Sequence, residues 1–321
     1  VRSGVLVSVH AFASDPARGM FILAFLVIVI GGSLLLFAIK GNRVRARVTN
    51  SLWSRETFLL GNNLILMAAT LVVLLGTLLP LVHKQLGLGS ISIGAPFFNT
   101  MFTLLMAPFA LLLGVGPLVR WRRDEPQKLR KLLLIALVVT AALSLLLPWL
   151  LQDSLVAMTV VGLSMALWVF FLTVYELHTS STRRHGLLRG LTTLSLSQWG
   201  MVCGHIGLAV TVVGIAFSQN YSVERDVRMR AGDSIAIHDY RFTFQGVRDV
   251  VGPNWQSAKG TIEVTRNGKP EATLKAEKRF YNTSGAIMTE AAIDAGVTRD
   301  LYAALGEKLD DGSWAVRLYY K

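Results

Sequence analysis

Few side chains in this sequence can do chemistry, and the six histidines stand out: His10, His83, His178, His185, His205 and His238. His205 lies in Trp199-Gly200-Met201-Val202-Cys203-Gly204-His205-Ile206-Gly207, inside an apolar run over 199–217. The ring sits about six residues into a membrane-length segment, roughly 9 Å from its start. An ionisable side chain there is costly and is by default a functional one. Two readings are open. Imidazole binds iron, haem is flat and apolar enough to lie between helices, and glycines at 200, 204 and 207 admit close approach. Alternatively, the ring is hydrogen-bonded to a neighbouring helix. A haem ligand wants a second axial partner, and the sequence offers no other mid-membrane histidine.

His10 follows the apolar stretch Val5-Leu6-Val7-Ser8-Val9, outside the first long apolar run. It either ligates a cofactor held at the membrane surface or rests half exposed at the interface. His83 closes the second run beside Lys84, His178 and His185 fall in a basic loop, and His238 falls in a strand. These four read as structural or solvated. Cys203 is the single cysteine, which excludes an internal disulfide and a cysteine-based metal motif. It reads as a small core residue. Asn62, Asn63 and Gln198 are expected to hydrogen-bond between helices, and Glu176 to sit at a helix end. The acidic residues of the first 217 positions are Asp15, Glu56, Asp124, Glu125, Asp153 and Glu176. None forms a mid-membrane carboxylate pair, which weighs against a proton-coupled pump. No phosphate-cradling glycine motif, nucleophile elbow or internal repeat is present.

The elements that position these residues follow from composition. The 321 residues are 52% hydrophobic and only 16% charged, with a mean hydropathy of +0.50. A soluble domain carries about 25% charged residues, so an ordinary soluble globule and a disordered chain are both excluded. The net charge is +12. Residues 1–217 hold 17 basic and 6 acidic side chains, whereas 218–321 hold 15 and 14. The excess lies between apolar runs, where membrane topology accounts for it and a nucleic-acid partner does not. Basic loops can also bind anionic lipid.

Six runs reach the roughly 20 residues a spanning helix needs: 19–39, 57–82, 97–119, 132–151, 154–175 and 199–217. Lipid offers no partner to a backbone amide, so each must be helical. The loops 40–56, 120–131 and 176–198 are rich in arginine and lysine, and the intervening ones are poor in both. The three basic loops therefore face the cytoplasm, and 1–18 and 218–321 face outside. An outside start at Val1 without a signal pattern is expected to follow upstream spans of a longer reading frame. Asp15-Pro16 reads as an N-cap and first-turn proline, and Pro80, Pro108, Pro117 and Pro148 as kinks or stops.

After 218 the pattern switches to period two. Ile235, Ile237, Tyr240, Phe242 and Phe244 alternate, with a slip at His238-Asp239. Asn267-Gly268 joins Thr261–Thr265 to Ala272–Ala276 as a hairpin. Trp314, Val316, Leu318 and Tyr320 share the buried face of a last strand, and Asp300–Leu305 reads as a helical turn. The expected fold is an all-α polytopic membrane bundle of six transmembrane helices over 1–218, with a C-terminal β-rich extracytoplasmic domain, sandwich or open barrel, over 219–321.

Four stretches carry a resemblance: RSGVLVSVHAFASDP, WGMVCGHIGLAVTVVGIAFSQNYSVERDVRM, EKRFYNTSGAIMTEAAIDAG and TRDLYAALGE. With them, the whole chain resembles the CcmF family, haem-lyase subunits of the bacterial cytochrome c maturation system. The resemblance implies a multi-pass protein of the bacterial inner membrane with a periplasmic C-terminal domain. It implies that haem is taken from the chaperone CcmE and attached to apocytochrome c, with CcmH-type and CcmI-type partners presenting the CXXCH peptide. By the same resemblance, His10 matches the family's external haem ligand, near the substrate haem. His205 matches the membrane-embedded ligand of a haem b. No residue is implied as an acid, base or nucleophile, since the substrate supplies the thiols. The family's tryptophan-rich segment and the other histidine of each pair are expected upstream, and a further span downstream, so this chain alone is not expected to be an active lyase. The rival readings are a transporter for haem or a small solute, and a non-catalytic scaffold of the maturation complex.

Overall fold

Every apolar run is helical in the computed structural model of the chain, which describes residues 16–43, 51–283 and 285–321. The long helices are α1 (Pro16–Lys40), α2 (Arg55–Gln85), α3 (Ala95–Val115), α4 (Pro126–Gln152), α5 (Ala157–His185) and α7 (Leu196–Tyr221). A short α6 (Leu187–Thr192) precedes the last. The six long ones are apolar and long enough to cross a membrane. α1, α2, α4 and α7 outrun their apolar runs at both ends and α5 at its C-terminal end, whereas α3 stops at Val115, before its run ends, and α5 starts only at Ala157. In α5 the breaker is Gly186, at φ 83. The segment 176–198, read above as a loop, is therefore helical through His185 and again over α6. Glu176 is no helix end either: it lies within α5 and accepts from Ser180 Oγ at 2.8 Å. Pro80, Pro108 and Pro148 lie inside helices, and Pro117 lies in a 3-10 turn that ends α3.

The chain divides into two compact units, one formed by described residues up to Ala142 together with Ser164–Ala209, the other by Leu143–Leu163 and Val210–Lys321. In the first, Phe58 of α2, Ala110 and Val115 of α3, Ala136 of α4, and Trp168, Val169 and Leu172 of α5 form one buried cluster. Gly114 is required there: a Cβ would stand 2.7 Å from the Trp168 ring. The Trp168 indole N–H donates to the Leu111 carbonyl at 3.3 Å. A fixed loop pair closes one end of this unit. Both Glu56 carboxylate oxygens accept from the Arg122 N–H, at 3.0 and 2.8 Å, and Asp124 N–H donates to the Trp53 carbonyl at 2.9 Å.

In the second unit, Thr159 Oγ1 of α5 donates to the Ala216 carbonyl of α7 at 3.2 Å. The β-sandwich follows. One sheet runs β1 (Val223–Met229), β9 (Trp314–Tyr320), β8 (Asp300–Lys308), β7 (Ala292–Ala295); the other runs β2 (Ser234–Ile237), β3 (Tyr240–Val251), β4 (Trp255–Arg266), β5 (Lys269–Tyr281), β6 (Ile287–Glu290). All pairings are antiparallel. The alternating apolar residues of both sheets meet in one core: Phe242, Phe244, Ile262, Val264 and Leu274 from one, Leu301, Leu305, Val316 and Leu318 from the other. Asp300–Leu305 is thus a strand, not a helical turn, because Leu301, Ala303 and Leu305 repeat every second residue against that core. The slip at His238-Asp239 is the tight turn between β2 and β3, with His238 at φ 50, so His238 lies in a turn rather than a strand.

The expected hairpin is present, with Asn267 at φ 50 and Gly268 at φ 77 between β4 and β5. Positive φ at both central residues matches the twist of the flanking strands. Replacing Gly268 by valine places a β-branched residue in the left-handed region and is expected to cost about 1–2 kcal/mol. Faster hydrogen exchange along β4 and β5 would register it.

Candidate functional site

His205 lies nine residues past Leu196, the first residue of the 26-residue α7, or about 14 Å along the axis. The helix begins three residues before the apolar run, so the ring's place six residues into that run is unchanged. The ring is half-buried, and its Nδ1 stands 3.4 Å from Thr173 Oγ1 of α5. Thr173 is 2% exposed. Anchoring one ring nitrogen is how proteins orient an imidazole whose other nitrogen binds metal. No protein partner engages Nε2 among the described residues, so this ring suits an axial ligand to iron. Replacing Thr173 by valine removes the anchor and keeps the volume. It is expected to shift the potential or spectrum of a metal centre at His205 without abolishing binding.

The glycines do not share the His205 face. Gly200, Cys203, Gly204 and Gly207 are exposed along one stripe of α7, with open space around the three glycines, whereas Val202 and Ala209 are buried. His205 sits on the flank between these faces. Gly204 and His205 differ by about 100° around the helix, which separates them. Cys203 is therefore exposed on the outer face rather than a core residue.

Gln198 does not bridge helices. Its Oε1 accepts from the Ser195 backbone N–H at 3.1 Å, while Gln198 N–H donates to Ser195 Oγ at 3.3 Å, a capping box at the start of α7. The Asn62 Oδ1 is buried without a partner among the described residues, and Asn63 is exposed. His83 Nδ1 lies 3.0 Å from the Gly89 carbonyl, His178 is exposed, and the His238 ring packs 4.7 Å from that of Tyr320. Among the described residues no group of three or more His, Cys, Asp or Glu side chains is placed to hold a metal ion. His10 lies outside the described residues.

The sandwich carries its own charged centre. Glu277, 6% exposed, takes Lys259 Nζ at 2.6 Å and Arg279 Nε at 2.9 Å. The Lys259 hydrogen bond holds the Glu277 carboxyl below its ordinary range despite burial, and Arg279 adds to this. A carboxyl whose folded pKa is depressed stabilises the fold above its unfolded pKa, and this contribution fades as pH falls through the folded value. The resistance of the sandwich to denaturant is expected to hold from neutral pH downward and to decline below about pH 4. Glu277→Gln should flatten that part of the decline in a midpoint-against-pH series.

The chain is similar to known proteins along its whole length. Residues 220–321 match the family described as CcmF C-terminal beta-sandwich. The chain is 70% identical over 321 residues to "Cytochrome c-type biogenesis protein CcmF" of Escherichia coli strain K12, covering 100% of this chain and 48% of that protein. It is 58% identical to the protein of the same name from Haemophilus influenzae, covering 100% and 50%. The solved structure "Cytochrome c Heme Lyase CcmF" superposes with a TM-score of 0.74 at 26% identity, covering 96% of this chain and 47% of that one. The chain thus spans about half the length of the curated relatives it matches. With every residue aligned to these relatives and the sandwich matching the family's own, the chain belongs to the CcmF family.

Proposed function

We propose that this chain forms the haem-handling half of a cytochrome c haem lyase. The observation that carries the reading is 70% identity over the whole chain to a cytochrome c-type biogenesis protein, with a mid-helix histidine held through one ring nitrogen. His205 holds a haem b together with a second ligand outside this chain. His10 stands near the substrate haem at the outer membrane surface. The chemistry a haem b at His205 supplies when bound is electron transfer, which keeps the substrate haem reduced. Thioether formation adds the two cysteine thiols of apocytochrome c across the haem vinyl groups. The thiols come from the substrate, so the protein contributes position and redox poise rather than a nucleophile.

In this reading the basic loops face the cytoplasm and the sandwich faces the periplasm. The donor of haem is the chaperone CcmE, and CcmH-type and CcmI-type subunits present the apocytochrome. The test is cytochrome c maturation in cells whose own copy is deleted, scored by the peroxidase activity of covalent haem on gels. The full-length protein with His10→Ala or with His205→Ala is expected to leave apocytochrome unmodified. Full maturation by both variants would favour a scaffold.

A further inference from the structure

The sheet edges of the sandwich are not alike. β2, β6 and β7 are edges of four residues each. β1 is longer but carries Glu224, Arg225, Asp226 and Arg228, mixed charges that blunt an edge. Among the described residues two longer edges remain, β5 over Lys269–Ala276 and β3 beyond Phe244, and the second borders a cavity. The pairing of β3 with β2 ends at Thr243, and the Gly232–Phe244 bond extends it by one residue. From the bulge after Phe244, β3 pairs on one side only, with β4.

Ladder alternation identifies the free groups. Gly252 N–H donates to the Trp255 carbonyl at 2.8 Å, so Gly252 faces β4. Backbone groups of an antiparallel strand alternate in direction. Val251, Asp249 and Val247 therefore turn their N–H and C=O away from β4. Five residues, Val247 to Val251, offer about 17 Å of open edge.

A cavity of about 660 Å³ opens at the start of this edge, lined by Arg230, Arg248, Lys259 and Lys308 against one carboxylate, Glu263. Arg230 is paired with Asp311 and Lys259 with Glu277. Arg248 and Lys308 are exposed, and neither has an ion-pair partner among the described residues. Free backbone donors beside unneutralised cations match one ligand chemistry, an extended chain with carboxylate side groups. We propose that the β3 edge from Val247 to Val251 receives an acidic, extended peptide segment of a partner protein as an added strand. Main-chain bonds hold such a strand, and the cavity selects its charge. Asp249 lies on the same edge, with its side chain on the opposite face of β3 from Arg248.

The test uses the full-length protein in detergent and a fluorescein-labelled seven-residue peptide of alternating Glu and Val. Its counterpart with Lys in place of Glu is the control. The acidic peptide is expected to bind and to slow hydrogen exchange at the Val247, Asp249 and Val251 amides. Arg248→Glu with Lys308→Glu should weaken it at least about tenfold. Asp249→Pro, which removes an outward donor, should abolish the exchange protection while the β4-facing amides of Arg248 and Val250 stay protected, as a check on folding. The proposal is overturned if the acidic peptide does not bind, if the basic one binds equally, or if binding leaves the three amides unchanged. It is also overturned if charge reversal has no effect. The proposal is independent of haem binding at His205.

Discussion

Replacing Phe242 with alanine is expected to destabilise the β-sandwich by about 3–5 kcal/mol, the cost of a large aromatic deleted from a packed core. Phe242 is 0% exposed and stands between Ile235 of β2 and Val264 of β4, its register partners, where the two sheets meet. In a domain of about 100 residues that loss lowers the melting temperature by roughly 10–30 °C. Phe242→Leu keeps most of the volume and should cost less than about 1.5 kcal/mol. The measurement is the temperature at which the sandwich of the whole protein becomes protease-sensitive. A shift of only a few degrees for the alanine variant would mean that Phe242 is not in the core described here.

Much of this core was legible because its signals are local. Trp314–Tyr320 alternates residue by residue, and Asn267-Gly268 supplies the two positive-φ positions of its turn from adjacent residues. Asp300–Leu305 was misread because Tyr302-Ala303-Ala304-Leu305 suits a helix as well as a strand. Pairing with Tyr320 and Leu318 of β9 decides it, and no local propensity carries that information. The helices were legible as apolar runs, whereas their true ends were not, since α5 continues through polar residues that no breaker interrupts.

The candidate site divides in the same way. His205 is conspicuous as an ionisable residue in an apolar run. Thr173, which meets its ring, lies 32 positions away and is marked only by being polar among Phe171, Leu172 and Val174. One reading failed where the sequence held the answer: Ser195-x-x-Gln198 is a capping-box pattern.

The second large effect is expected at His205. If His205 holds a haem b as proposed, losing its imidazole would take away one protein ligand of the iron, and a b-type haem has no covalent tether to hold it otherwise. His205→Ala in the full-length protein is therefore expected to lower bound haem b by at least about tenfold, a loss of 1.4 kcal/mol or more of binding free energy. Pyridine haemochrome content per protein measures it. Thr173→Val should retain the haem, because it removes the anchor of the ring and not the ligand. Haem content falling equally in both variants would mean that α5 and α7 have separated rather than that a ligand was lost.

Ligation of haem iron by His205 is tested most directly by a dithionite-reduced optical spectrum of the purified full-length protein. The expected result is a sharp b-type α-band that is lost in His205→Ala and present, though shifted, in Thr173→Val. A band identical in wild type and His205→Ala, or no band in either, would contradict it.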